Sequence, residues 1–90
     1  MNQAFFVVKI AAHRKRSNKV SVLIKLTEQK YIAGEMVLSQ NALYSLKQLK
    51  QLTGESSLII RGALALRRGS ETTNEVIIFA DECISPKIFR

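Results

Sequence analysis

The sequence predicts an all-β fold with one helix, a small five-stranded barrel in the order β-β-β-α-β-β. Three observations carry this. Five short runs rich in apolar and β-branched residues read as strands, the second with clear period-two alternation. A single window, 40–52, instead repeats leucine at helical spacing behind a serine cap. Ninety residues, 47% of them apolar, make one domain spanning 1–90 and leave no room for a second core.

The first strand is expected at 4–12, with Phe6, Val8 and Ile10 on one face and Phe5, Val7 and Lys9 on the other. The second, 19–27, has the clearest alternation: Val20, Val22, Ile24 and Leu26 point inward, Ser21, Leu23, Lys25 and Thr27 outward. A polar turn at Glu28-Gln29-Lys30 leads to a third strand at 31–38, where Gly34 marks a weak point or a bulge. Ser39 then caps a helix at 40–52, and Gly54 is placed to end it in a left-handed conformation. Leu43, Leu46, Leu49 and Leu52 recur every three residues and drift around a helix. Ala42, Leu46 and Leu49 make the better inward stripe, Leu52 packs as the helix unwinds, and Lys47, Gln48, Lys50 and Gln51 are solvated.

The fourth strand, 57–67, sets Leu58, Ile60, Gly62, Leu64 and Leu66 inward, opposite Ile59, Arg61, Ala63, Ala65 and Arg67. The fifth runs over 75–83. Asp81-Glu82 closes it, Pro86 forbids a regular continuation, and 85–90 is a short tail or edge extension.

Fourteen Lys and Arg against seven Asp and Glu give a formal charge of +7. So strong a field on so small a body favours polyanions. Two turns concentrate basic residues: His13-Arg14-Lys15-Arg16-Ser17-Asn18-Lys19, and Arg67-Arg68-Gly69-Ser70-Glu71-Thr72-Thr73-Asn74. The single cysteine, Cys83, permits no intramolecular disulfide, suits a reducing compartment and reads as buried filler. The N-terminus lacks a basic signal-peptide start, and no apolar run reaches membrane-spanning length, so a cytoplasmic location is expected and no membrane partner.

A lone helix between strands three and four of five is the order of the oligonucleotide-binding (OB) barrel. Leu58-Ile59-Ile60-Arg61-Gly62-Ala63-Leu64 resembles the fourth strand of bacterial single-stranded DNA-binding proteins and of the OB domain in replicative polymerase alpha subunits. The basic hairpin Arg67-Arg68-Gly69-Ser70-Glu71 and the returning strand from Val76 to Ile84 resemble theirs, and so does the position of the helix. The resemblance covers the second half of the chain; the first forty residues match in strand count and alternation. It implies an OB-fold protein that binds single-stranded nucleic acid without catalysis. The chain has no tryptophan and ends Lys87-Ile88-Phe89-Arg90 in place of an acidic tail. Those departures point to an accessory of replication or of a plasmid, phage or other mobile element, not a housekeeping role.

The residues expected to hold the nucleic acid are Lys9, Arg14, Lys15, Arg16, Lys19, Lys25, Arg61, Arg67 and Arg68, with Tyr31 as the base-stacking ring. Tyr44 and Phe79 are weaker stacking candidates and suit packing better. With so few rings, binding should be led by the backbone and only weakly sequence-specific. An outward apolar set, Phe5, Val7, Leu23, Ile59, Ile77 and Phe79, is large for a monomer and points to a homodimer or tetramer.

Catalysis finds little support. His13 is the only histidine and suits phosphate contact better than base chemistry. One His and one Cys make no metal site, no cofactor loop is present, and Glu28 and Glu35 are read as surface salt-bridge partners. Two alternatives stay open: an OB-like module that docks on an acidic protein, and an RNA-binding protein.

Overall fold

The computed structural model describes residues 3–13, 17–52, 57–68 and 74–85. Its elements are β1 (Ala4–His13), β2 (Lys19–Thr27), β3 (Lys30–Leu38), α1 (Gln40–Leu52), β4 (Ser57–Arg68) and β5 (Asn74–Ile84). The strands close into a barrel in the order β1-β2-β3-β5-β4, with β4 returning to pair with β1. All pairs are antiparallel except β3 with β5, which the intervening helix makes parallel. The fold is the five-stranded, one-helix OB-like barrel that the element order predicts. Gly54, Pro86 and residues 86–90 lie outside the described residues, as do Arg14, Lys15 and Arg16. Leu52 and Arg68 are described as backbone only.

The core follows from strand parity. Val8, Val20, Val22, Ile24, Met36, Leu58, Ile60 and Ile78 fill the interior, and Ala42, Leu46 and Leu49 of α1 seal one end of it. The helix is docked by polar bonds as well as leucines. Ser39 Oγ accepts from the Ala42 amide at 3.0 Å, so Ser39 is the N-cap. The Ser39 amide donates to the Ala80 carbonyl at 3.0 Å, and Asn41 Nδ2 donates to the Asp81 carbonyl at 2.9 Å. One turn on, Ser45 Oγ accepts from the Cys83 amide at 3.0 Å. The start of α1 is thus stitched to β5.

Three bulges correct the simple alternation. Between Ile10↔Val22 and Ala12↔Ser21, β1 carries one extra residue, Ala11. Between Lys25↔Tyr31 and Thr27↔Lys30, β2 carries Leu26, which is turned out and 52% exposed instead of filling the interior. Between Arg61↔Glu82 and Gly62↔Ala80, β5 carries Asp81.

Leu64 and Leu66 also leave the predicted interior, at 51% and 65% exposed, for a different reason. They keep their inward parity, paired with Ile78 and Val76, but β1 pairs with β4 only as far as Ala4↔Gly62. Beyond Gly62 the β4–β5 hairpin runs past the barrel wall, and its inner face opens to solvent. Ile77 is the converse case. Expected outside, it is 5% exposed, on a strand flanked by Glu35 of β3 and Ala65 of β4. Ser85, expected to begin a tail, is buried.

Gly34 is not a bulge. It stays in register opposite Val22, and a side chain there would meet Ile24 Cδ1 at 2.8 Å and the Val76 carbonyl oxygen at 3.0 Å. Gly62 is more tightly constrained, because an added Cβ would lie 2.3 Å from the Phe79 carbonyl oxygen. Glycine is there because two backbones meet. Among the described residues, no helix is long and apolar enough to cross a membrane.

Candidate nucleic-acid interface

The outer face of β1-β2-β3 collects four of the predicted residues. Register sets Lys9 opposite Leu23, Lys25 opposite Tyr31, and Lys19 opposite Val37. Side chains of cross-strand partners share a face, so Lys9, Lys19, Lys25 and Tyr31 stand on one curved surface. Lys9 reaches across β2 to place Nζ 4.8 Å from the centroid of the Tyr31 ring, a cation–π contact. Lys25 Nζ donates to both Glu28 carboxylate oxygens at 3.1 Å, across the β2–β3 turn. That pair is exposed and weak, and a phosphate can displace it.

The described ends of the first basic loop border this face. They are held by His13, whose Nε2–H donates to the Ser17 carbonyl at 2.9 Å, and by Ser17 Oγ, which accepts from the Lys19 amide at 3.1 Å. His13 therefore closes the loop, a different task from the phosphate contact expected of it.

The remaining arginines are arranged differently. Arg67 Nε and Nη2 grip Glu75 Oε2 at 2.9 and 2.5 Å across the β4–β5 hairpin. The hydrogen bond to Glu75 raises the Arg67 pKa above its ordinary value, and the Glu35 carboxylate adds a smaller attraction. Arg67 and Glu35 line one hollow with Ser21 and Ala33, so the hairpin reaches the edge of the β2–β3 face.

Arg61 does not join the face. It sits on β4, two strands from β2 by way of β1 and three by way of β5 and β3. There it is tied to Asp81 Oδ2 at 2.8 Å and to Glu82 Oε1 at 3.8 Å. Its role is to clamp the Asp81 bulge.

Two residues not among those expected to hold the nucleic acid lie at the centre. Ser21 of β2 and Glu35 of β3 are register partners, and both line a second groove with Ser17 and Lys19 beside the first loop. Glu28 has the salt bridge expected of it, but Glu35 does not: its Oε1 is buried with no hydrogen-bond partner. The available signal was parity, since 31, 33 and 35 share a face.

Of the outward apolar set, Phe5, Val7, Leu23 and Phe79 are exposed as expected. Tyr44 is exposed on α1, away from the basic face. Cys83 is buried and free. Burial pushes its thiol up to about 11, against the lowering effect of the Ser45 hydrogen bond. Among the described residues, no three His, Cys, Asp or Glu side chains converge as a metal site.

The geometry defines an OB-like barrel with a cationic outer sheet face. No protein-family model, curated protein or solved structure matches the chain.

Proposed function

We propose that the protein is a non-enzymatic binder of single-stranded nucleic acid, DNA in the first instance, acting through the β1-β2-β3 face. The observation that carries this is the joint placement of Lys9, Lys19, Lys25 and Tyr31 on one face of the barrel. Three ammonium groups can follow a phosphate backbone while one ring stacks on a base. The +7 charge supplies the long-range attraction. The likeness of the second half of the chain to bacterial single-stranded DNA-binding proteins supports the same function and suits an accessory of replication or of a mobile element.

Fluorescence anisotropy tests this, with labelled single-stranded DNA, duplex DNA and single-stranded RNA of equal length titrated at two salt concentrations. Single strands should bind better than duplex. Four or so neutralised phosphates should give a log–log salt slope of roughly −3, at about −0.7 per contact on a single strand. The ratio of DNA to RNA affinity decides between those two ligands. Equal, weak binding to all three defeats the proposal.

A second function rests on a separate observation. Phe5 and Val7 of β1, Leu23 of β2 and Phe79 of β5 are exposed on the barrel's outer surface. That favours a module that self-associates or docks on another protein. Light scattering that finds a dimer or tetramer without nucleic acid, with no binding in the anisotropy assay, selects it.

A further inference from the structure

We infer that Glu35, with Ser21 beside it, reads a base in the bound strand and prefers cytosine to thymine. The inference rests on the proposed single-strand binding and goes beyond its backbone-led, sequence-tolerant character.

Among the described residues, three carboxylates border the β2–β3 face. Glu28 is occupied by Lys25, and Glu75 by Arg67. Glu35 stands between them with Oε1 buried and unpartnered. A buried acceptor left without a donor costs about 1–3 kcal/mol, more when charged. The fold keeps it where two grooves meet, one from the first loop and one from the β4–β5 hairpin.

A carboxylate cannot serve the phosphates, which it repels. On a face where Lys9, Lys19 and Lys25 hold the backbone, an acceptor-only group that lines the groove can take a donor from a base edge. Carboxylates take the cytosine N4 amino group in this way. Ser21 is the cross-strand partner of Glu35, with side chains about 5 Å apart at Cβ in such a pair. Its hydroxyl can donate to cytosine N3. Thymine reverses this pattern: O4 sets an acceptor against the carboxylate, and N3–H meets the hydroxyl.

The test compares labelled oligo-dC and oligo-dT of equal length at neutral pH, both flexible homopyrimidines. Wild type should bind dC more tightly by about tenfold or more, the scale of one net hydrogen bond to a charged group. Glu35→Gln keeps the size, removes a negative charge and gains a donor for O4. It should bind both strands more tightly and bring the dC:dT ratio to one or below, with its melting temperature showing that it is folded. Ser21→Ala should weaken both strands and leave the ratio unchanged, because a hydroxyl accepts from thymine N3–H as well as it donates to cytosine N3. Equal wild-type affinity for dC and dT, or an unchanged ratio in Glu35→Gln, overturns the inference and leaves strand binding standing. Binding to neither oligonucleotide overturns both.

Discussion

Lys9 on β1 and Tyr31 on β3 meet across the intervening strand, with the ammonium 4.8 Å from the ring centroid. The contact orients a ring that is only half-buried and leaves a cation next to it. The ammonium covers one face of the ring, so a base stacks on the other face or takes the place of the ammonium. Tyr31→Ala should therefore weaken single-strand binding by about 1–3 kcal/mol, the usual worth of one stacked base. Tyr31→Phe should retain most of the affinity. Anisotropy titrations of the two variants check this, and equal losses in both would assign the effect to the hydroxyl instead.

Arg61 makes the opposite prediction. Its guanidinium is tied to Asp81 and Glu82 on the β4–β5 side of the barrel. Arg61→Ala should cost about 0.5–1 kcal/mol of stability, as partly exposed ion pairs do. Single-strand affinity should stay within about twofold, the effect of one distant charge. A chemical-denaturation curve and a binding titration on the same preparation separate the two effects. A large loss of affinity with unchanged stability would return Arg61 to the interface.

The local features of this chain were legible in its sequence. Ser39 could be read as a cap because a hydroxyl before a periodic apolar stretch satisfies a free helix amide, and Ala42, Leu46 and Leu49 lie inward as an ideal helix requires. Strand alternation gave Val20, Val22, Ile24, Leu58 and Ile60 correctly. It failed at Leu26, because one extra residue in a strand leaves no mark in composition. It failed at Leu64 and Leu66, because their exposure depends on where β1 stops covering β4, a relation between segments some sixty residues apart. In the candidate site, Lys9 and Lys25 followed from parity, Lys19 from the charge of the first loop and Tyr31 from being a ring at the start of the third strand. Arg61 stands apart from those four because parity says outward without saying on which side of a closed barrel. Glu35 was read as a surface salt-bridge partner because a sequence shows charge but not whether a partner stands opposite it.

The two tight glycines should differ in their tolerance. Gly62→Ala drives a methyl group against the Phe79 carbonyl, and backbone on both strands must move. The cost should be about 2 kcal/mol or more, within the range for overpacked sites. At about 4–8 °C per kcal/mol for a domain of this size, that lowers Tm by roughly 10 °C. Gly34→Ala meets first the end of the Ile24 side chain, which can turn aside, and should cost less. Thermal melts of the two variants give the order, and a Gly34→Ala protein less stable than Gly62→Ala would contradict the packing described.

Cys83 sets an alkaline limit. Its folded thiol titrates at about 11, above the ordinary 9.0, so the fold favours the protonated form. The stability this contributes is complete below about pH 9 and is lost as pH rises towards 11, on the order of 2 kcal/mol by linkage. Cys83→Ala lacks this contribution. Its denaturation midpoint should start lower, because a cavity is left, and fall less between pH 9 and 11 than that of wild type. Parallel curves for the two proteins would show that the thiol is not held protonated. Ellman's reagent should also react slowly with the native thiol at pH 8 and rapidly after unfolding.

The most direct test of the central claim is a titration of isotope-labelled protein with unlabelled single-stranded DNA, followed by amide chemical shifts at low salt. Lys9, Lys19, Leu23, Lys25, Tyr31 and Ala33 should move together and saturably, while Arg61 and the amides of α1 stay fixed. Shifts concentrated on β4 and α1, or no saturable shift anywhere, would contradict a single-strand-binding face on β1-β2-β3.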